Sequence, residues 1–166
     1  LFLDANGSAT LTPSDIDDGS SDACLISTRV LSNTAYSCAN LSIANPVTLT
    51  VTDNNGNSAS CSANVTVLDL IPPTAVCNDV TVQLDAAGNG SATAADFTVG
   101  STDNCSITGR LLFPAVTYTC ASVGTPQPVQ VTLTDQSGNN SNCTANAIVE
   151  DNVPPVAVCV NVSVTL

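Results

Sequence analysis

Two residue types in this chain can do chemistry, cysteine and aspartate. There are eight cysteines, and Asp supplies 13 of the 14 acidic side chains against two basic ones, both Arg. His and Lys are absent. Without His, a serine or cysteine nucleophile lacks its ordinary base, and zinc lacks a common ligand. Cysteines with neither His partners nor CxxC spacing read as disulfides. Aspartates in loops rich in Gly and Asn read either as turn formers or as oxygen ligands for a hard cation. Asp15, Asp17, Asp18 and Asp22 cluster closely enough to suggest paired carboxylates for glycoside hydrolysis. That cluster sits in turn-like sequence, and a loop that recurs along a chain seldom makes one active site. The expectation is that the protein is not an enzyme.

The cysteines keep a frame. Cys38 to Cys77 and Cys120 to Cys159 align without a gap, at the offset that carries Cys38 onto Cys120. Cys24, Cys38, Cys61 and Cys77 answer to Cys105, Cys120, Cys143 and Cys159. Such a period predicts a tandem array of small domains. A domain of about 80 residues buries only ~60% of its unfolded surface, and only five aromatic residues are present to help. Disulfides offset so thin a core, and their density implies an oxidising, extracellular or cell-surface compartment.

The net charge of −12 argues against nucleic acid and anionic membrane surfaces, and favours divalent cations. No apolar run approaches the ~18 residues of a membrane span. Leu1-Phe2-Leu3-Asp4 has no signal-peptide character. Eight Asn-X-Ser/Thr sequons are expected from an Asn- and Ser-rich composition alone.

The elements that must position these residues are strands. Val47, Leu49 and Val51 alternate with threonines, and Val129, Val131 and Leu133 repeat the pattern. This period of two predicts strands with one face inward. Turns at 53–57 and 135–139 follow, with Gly where positive φ is needed. Second strands are expected at 63–68 and 145–150, another strand at 80–84, and no helix beyond a turn near 94–97. Many short strands with Gly, Asn and Asp turns predict an all-β sandwich. Paired prolines at 72–73 and 154–155 mark boundaries. Residues 1–70 form a repeat lacking its first strand, 71–152 a complete repeat, and 153–166 the first strand of another. The window is either a piece of a longer chain or a subunit that donates its last strand to the next.

The order PP-x-A-V-C, S-T-D-N-C, Y-T-C, V-T-L-T-D-x-S-G-N-x-x-x-C and V-x-D-x-x-P-P resembles the hyalin repeat family. It is similar to the four-cysteine form found in tandem in large secreted bacterial surface proteins and adhesins. The resemblance covers essentially the whole chain, twice. It implies tandem immunoglobulin-like β-sandwich repeats, each spanning the distance from Cys38 to Cys120. It also implies an extracellular location, and a role in adhesion or matrix without catalysis. The first repeat departs from the pattern, with Ser21-Asp22-Ala23-Cys24 in place of TDNC.

In such a sandwich the first and last strands lie side by side, which pairs Cys77 with Cys143. Cys105 and Cys120 flank a hairpin-sized segment and are paired, and the repeat then pairs Cys24 with Cys38. Cys61 and Cys159 are left for partners outside the window. The linker Asp69 is expected beside Asp103 and Asp135 of the following repeat, holding calcium. Asp15, Asp17, Asp18, Asp22 and Asp53 are expected to form the upstream counterpart, and Asp151 the start of a downstream one. The reading is a structural module of an extracellular fibre, stalk or adhesin, whose partners are neighbouring repeats or identical subunits. The alternatives are a carbohydrate- or protein-binding module and a filament subunit that polymerises by strand donation.

Overall fold

The computed structural model describes residues 1–115 and 117–164. They divide into two compact units. One comprises Leu1–Ala75, Ser101–Arg110 and Thr132–Ser141, and the other comprises Val76–Gly100, Leu111–Val131 and the chain from Asn142 on. Strands dominate the chain, and the fold is all-β.

The first five strands are β1 (Ser8–Thr10), β2 (Ile26–Leu31), β3 (Ala35–Ser37), β4 (Asn45–Asp53) and β5 (Ser58–Val65). They form a three-stranded sheet in the order β2-β4-β5 and a two-stranded sheet β1-β3. Val47 and Leu49 of β4 are buried with Leu3, Leu11, Leu31, Tyr36, Leu41, Val65 and Val67 in one cluster. The opposite face of β4 presents Thr48, Thr50 and Thr52, whose hydroxyls bond those of Ser62, Ser60 and Ser58 across the ladder at 3.3, 2.9 and 2.9 Å. β5 therefore begins at Ser58, earlier than the expected residue 63. Its Ser-Ala-Ser-Cys-Ser start alternates serines with only the small side chains of Ala59 and Cys61 and lacks the β-branched and large apolar residues that mark β4, so the ladder with β4 decides it.

The later strands are β6 (Val80–Gln83), β7 (Asn89–Gly90), β8 (Ile107–Phe113), β9 (Tyr118–Thr119), β10 (Gln127–Asp135) and β11 (Asn140–Glu150). Their sheets are ordered β6-β11-β10-β8 and β7-β9. β6 runs parallel to β11, with Val80 opposite Ala147 and Val82 opposite Val149. A single helical turn, α1, spans Ala94–Phe97. Phe97, Tyr118 and Val131 are almost wholly buried. Burying a side chain of this size removes apolar surface worth roughly 1.5–3 kcal/mol.

One local device recurs four times and explains where strands stop. In the motif Asp-x-x-Gly-Asn/Ser the Asp Oδ1 accepts the backbone N–H groups two and four residues on. Asp4 accepts from Asn6 and Ser8, Asp53 from Asn55 and Asn57, Asp85 from Ala87 and Asn89, and Asp135 from Ser137 and Asn139, all at 2.8–3.0 Å. Each Gly takes positive φ, from 70° at Gly7 to 90° at Gly138, which a side chain would resist.

Candidate metal centre

Asp69, Asp103 and Asp135 are the three residues whose chemistry converges. Each offers a carboxylate oxygen within 4.8 Å of the others, and among the described residues no other group of three or more Cys, Asp or Glu lies so close. Asp69 and Asp135 are only 3% and 2% exposed, so water screens their charges poorly.

Local chemistry places each one. Asp135 ends β10, where its turn engages both of its oxygens. Oδ1 takes the Ser137 and Asn139 amides, and Oδ2 takes the Asn139 side-chain amide at 2.8 Å. The same Asn139 amide donates to the Asp69 carbonyl at 3.1 Å, which ties the linker to the turn. Asp69 Oδ1 accepts from the Ile71 N–H and the Asn104 side-chain amide, both at 3.1 Å. Asp103 Oδ1 accepts from the Cys105 N–H at 2.9 Å. Beyond the paired prolines, Thr74 and Thr102 exchange backbone hydrogen bonds at 2.8 and 3.1 Å, holding the linker beside the Asp103 loop.

What remains is a set of unused acceptors. Asp69 Oδ2, Asp103 Oδ2 and Asn104 Oδ1 are buried and have no hydrogen-bond partner. Buried polar atoms are nearly always satisfied, and buried carboxylates require a counter-charge. Among the described residues no basic side chain forms an ion pair with Asp69, Asp103 or Asp135, and Arg110 is exposed and forms none. Arg29 bonds Asp17 through its Nε, and the chain has no Lys. Three orphan oxygens, all acceptors, match the chemistry of a hard cation with oxygen ligands.

The other candidate acids do different work. Asp15 closes a capping box with Thr12, accepting its N–H at 2.7 Å and its hydroxyl at 2.8 Å. Asp17 accepts from Ser20 and Arg29. Asp22 accepts the Cys24 N–H at 2.7 Å, and Asp53 holds its turn. Asp22 and Asp53 do line one shallow cleft together with Asn57. Asp18 joins no cluster of acids among the described residues. Asp151 is exposed and accepts the Val153 N–H at 3.0 Å. The five upstream acids are thus a cap, an ion pair, turn acceptors and a lone side chain, not a single cluster. Asp15, Asp17, Asp22 and Asp53 each accept from a backbone amide within four residues, so each carboxylate is used locally.

Cys77 bonds to Cys143, across the β6-β11 side of the sheet. The expected Cys24–Cys38 and Cys105–Cys120 pairs are not formed; Cys38 bonds to Cys105 instead. The reason lies in sheet membership. β2 pairs with β4 whereas β3 pairs with β1, and β8 and β9 likewise belong to different sheets. Neither segment is a hairpin, so its flanking cysteines are not brought together. The Cys38–Cys105 bond sits against the loop that carries Asp103 and Asn104, with Cys38 Sγ 3.5 Å from the Asn104 backbone carbonyl oxygen. A Cβ on Gly7 would lie 2.4 Å from the Asn104 carbonyl oxygen and 2.7 Å from Cys38 Sγ, so only glycine fits there. Sequence reasoning did not single out Asn104 as an unpartnered acceptor or Asn139 as a donor at this cluster, and the signals for them were their places beside Asp103 and in the Asp135 turn.

Two disulfides suit an oxidising environment. Among the described residues no helix is long and apolar enough to cross a membrane. No family model matches the chain, and no curated protein matches it.

Proposed function

We propose that this chain is a structural module of an extracellular fibre, stalk or adhesin. In this reading it is built from tandem immunoglobulin-like sandwich repeats akin to hyalin repeats, and stiffened by calcium at the joint. The observation that carries the proposal is the convergence of Asp69 with Asp103 and Asp135 around unpartnered oxygens. Asp69 belongs to the linker of one sequence repeat, and the other two belong to loops of the next. A cation there would fix the angle between repeats. Asp69 Oδ2, Asp103 Oδ2, Asp135 and the Asn104 side-chain carbonyl would hold it, and its charge would neutralise the three carboxylates.

The recurrence of elements supports the repeat reading. β4, β5 and the 3-10 turn at Cys38–Asn40 return as β10, β11 and the turn at Cys120–Ser122. Each begins at the same offset, the one that carries Cys38 onto Cys120. The absence of His and the use of the acids in caps and turns favour a mechanical role over catalysis. Calorimetric titration with calcium, paired with melting curves in chelator, tests the proposal. Saturable binding with a calcium-dependent rise in Tm is expected. No heat of binding and an unchanged Tm would return the three aspartates to the role of turn formers.

A further inference from the structure

Cys24, Cys61, Cys120 and Cys159 are exposed free thiols, and the two formed disulfides indicate what should bond them. In the sequence frame Cys120 stands where Cys38 stands, and Cys24 where Cys105 stands. Cys159 stands where Cys77 stands, and Cys61 where Cys143 stands. Carrying the Cys38–Cys105 and Cys77–Cys143 bonds one frame along joins Cys120 to a Cys24, and Cys159 to a Cys61. All four free thiols are then used, two from each half of the chain.

The strands carry the same complementarity. β11 has β6 on its outer side, whereas its counterpart β5 is the outermost strand of its sheet. Leu1–Leu3 cover only the far end of that edge. Phe2 bridges Leu68, and the Leu3 N–H donates to the Leu68 carbonyl at 2.9 Å, as the Leu84 N–H does to Glu150. Among the described residues no strand lies along the rest of the β5 edge. Val156, Val158, Val160, Val162 and Val164 alternate with a period of two, are 79–89% exposed, and pair with no described strand. A bare apolar strand and a bare sheet edge are the two halves of a β-augmentation contact.

We propose that the segment Val156–Ser163 of one copy of this chain docks on the free β5 edge of a second copy, locked by Cys159–Cys61 and Cys120–Cys24 disulfides. The β6-β11 register sets the alignment. Val80 faces Ala147, so Val162 of one copy faces Val65 of the next and Ser163 faces Thr66. The next place along that edge is taken by Leu1, whose amine donates to the Thr66 carbonyl at 2.9 Å. The joint also brings Asp151, the counterpart of Asp69, towards Asp22 and Asp53, the counterparts of Asp103 and Asp135. The contact is head-to-tail, so it propagates into a filament unless it closes into a ring. The inference takes the repeat frame from the reading above, but neither its calcium nor its location.

Each bond forms by thiol–disulfide exchange. The thiolate of one cysteine attacks a small-molecule disulfide, such as oxidised glutathione, and releases one thiol. The second cysteine's thiolate then attacks the mixed disulfide and releases the other. Two protein thiols are oxidised and one disulfide oxidant is reduced to two thiols.

The test holds the 166-residue chain in a glutathione redox buffer, once with calcium and once with chelator. Non-reducing electrophoresis and peptic peptide mapping at low pH then read the products. A ladder at multiples of 16.7 kDa, with Cys159–Cys61 and Cys120–Cys24 peptides in either buffer, is expected. Cys61→Ser should remove the first linkage and keep the second. Val160→Asp with Val162→Asp should cut polymer yield at least tenfold while Cys77–Cys143 still forms, which shows that the variant has folded. A monomer with four titratable thiols overturns the proposal, as does a random mixture of cysteine pairings. Calcium dependence of melting is read separately, so the metal reading can fail without affecting this result.

Discussion

The side-chain amide of Asn104 donates to Asp69 Oδ1 at 3.1 Å, while its own carbonyl oxygen is buried without a partner. One side chain thus steers a carboxylate and adds an acceptor to the same centre. Asn104→Ala removes both. The expected loss in calcium affinity is about 10–100-fold, the usual effect of losing an orienting partner, measured by calorimetric titration. An unchanged affinity would show that Asn104 only packs.

Asp69→Asn separates a metal centre from a purely structural cluster by sign. Two like charges about 4 Å apart repel by about 4 kcal/mol at an effective dielectric near 20. Neutralising one of them should leave the calcium-free protein as stable as the parent or more so. The calcium-induced gain, about 2.7 kcal/mol at a hundred times Kd, should vanish. Chemical denaturation with and without calcium checks both. A variant that is destabilised in chelator and still gains from calcium would sink the metal reading.

The Cys77–Cys143 bond closes a separation of 66 residues. On the chain-entropy account, closing a loop of this length stabilises by about 4 kcal/mol. Cys77→Ser with Cys143→Ser should lower the urea midpoint accordingly, and a change under about 1 kcal/mol would contradict that account.

Gly7 and Gly56 share positive φ but not surroundings. Nothing lies within 4 Å of a Cβ built on Gly56, whereas one on Gly7 meets the Asn104 carbonyl oxygen and Cys38 Sγ. Gly56→Ala should cost about 1 kcal/mol in backbone strain alone. Gly7→Ala should cost clearly more and disturb the Cys38–Cys105 bond. Equal melting temperatures for the two variants would refute the close approach.

Acid stability should follow the turn aspartates. The Asn57 side-chain amide, then its backbone N–H, hold the Asp53 carboxyl below its ordinary value of 3.8. The Ser8 and Asn6 amides do the same for Asp4. A depressed folded pKa contributes stability that is fully present above the unfolded value and lost as pH falls through the folded one. Stability from these groups should therefore be level near neutral pH and decline below about pH 4. Carboxyl chemical shifts followed by NMR check it, and a midpoint for Asp53 at or above the ordinary value would be the contrary result.

What the sequence determined by itself was local or periodic. The alternation in β4 and β10 announced strands because a residue's side is set by backbone pleating alone. The Asp-x-x-Gly-Asn turns were legible because their hydrogen bonds reach only as far as the next strand's first residue. The strand directions of the immunoglobulin-like sandwich that the family resemblance implies set the linker Asp69 beside Asp103 and Asp135, and the three carboxylates do converge. The tertiary structure decided what depends on neighbours distant in the chain. The first half of β5 alternates serines only with small Ala and Cys side chains, too little apolar bulk to announce a strand, and its ladder with β4 makes it one. Cys24 and Cys38 are close in sequence, yet the strands between them enter different sheets, and Cys38 meets Cys105 instead. Asp53 and Asp135 occupy matching turns with the same local bonds. Only Asp135 has Asp69 and Asp103 beside it, because a second segment packs there, and that packing separates a turn residue from a member of a buried acidic centre.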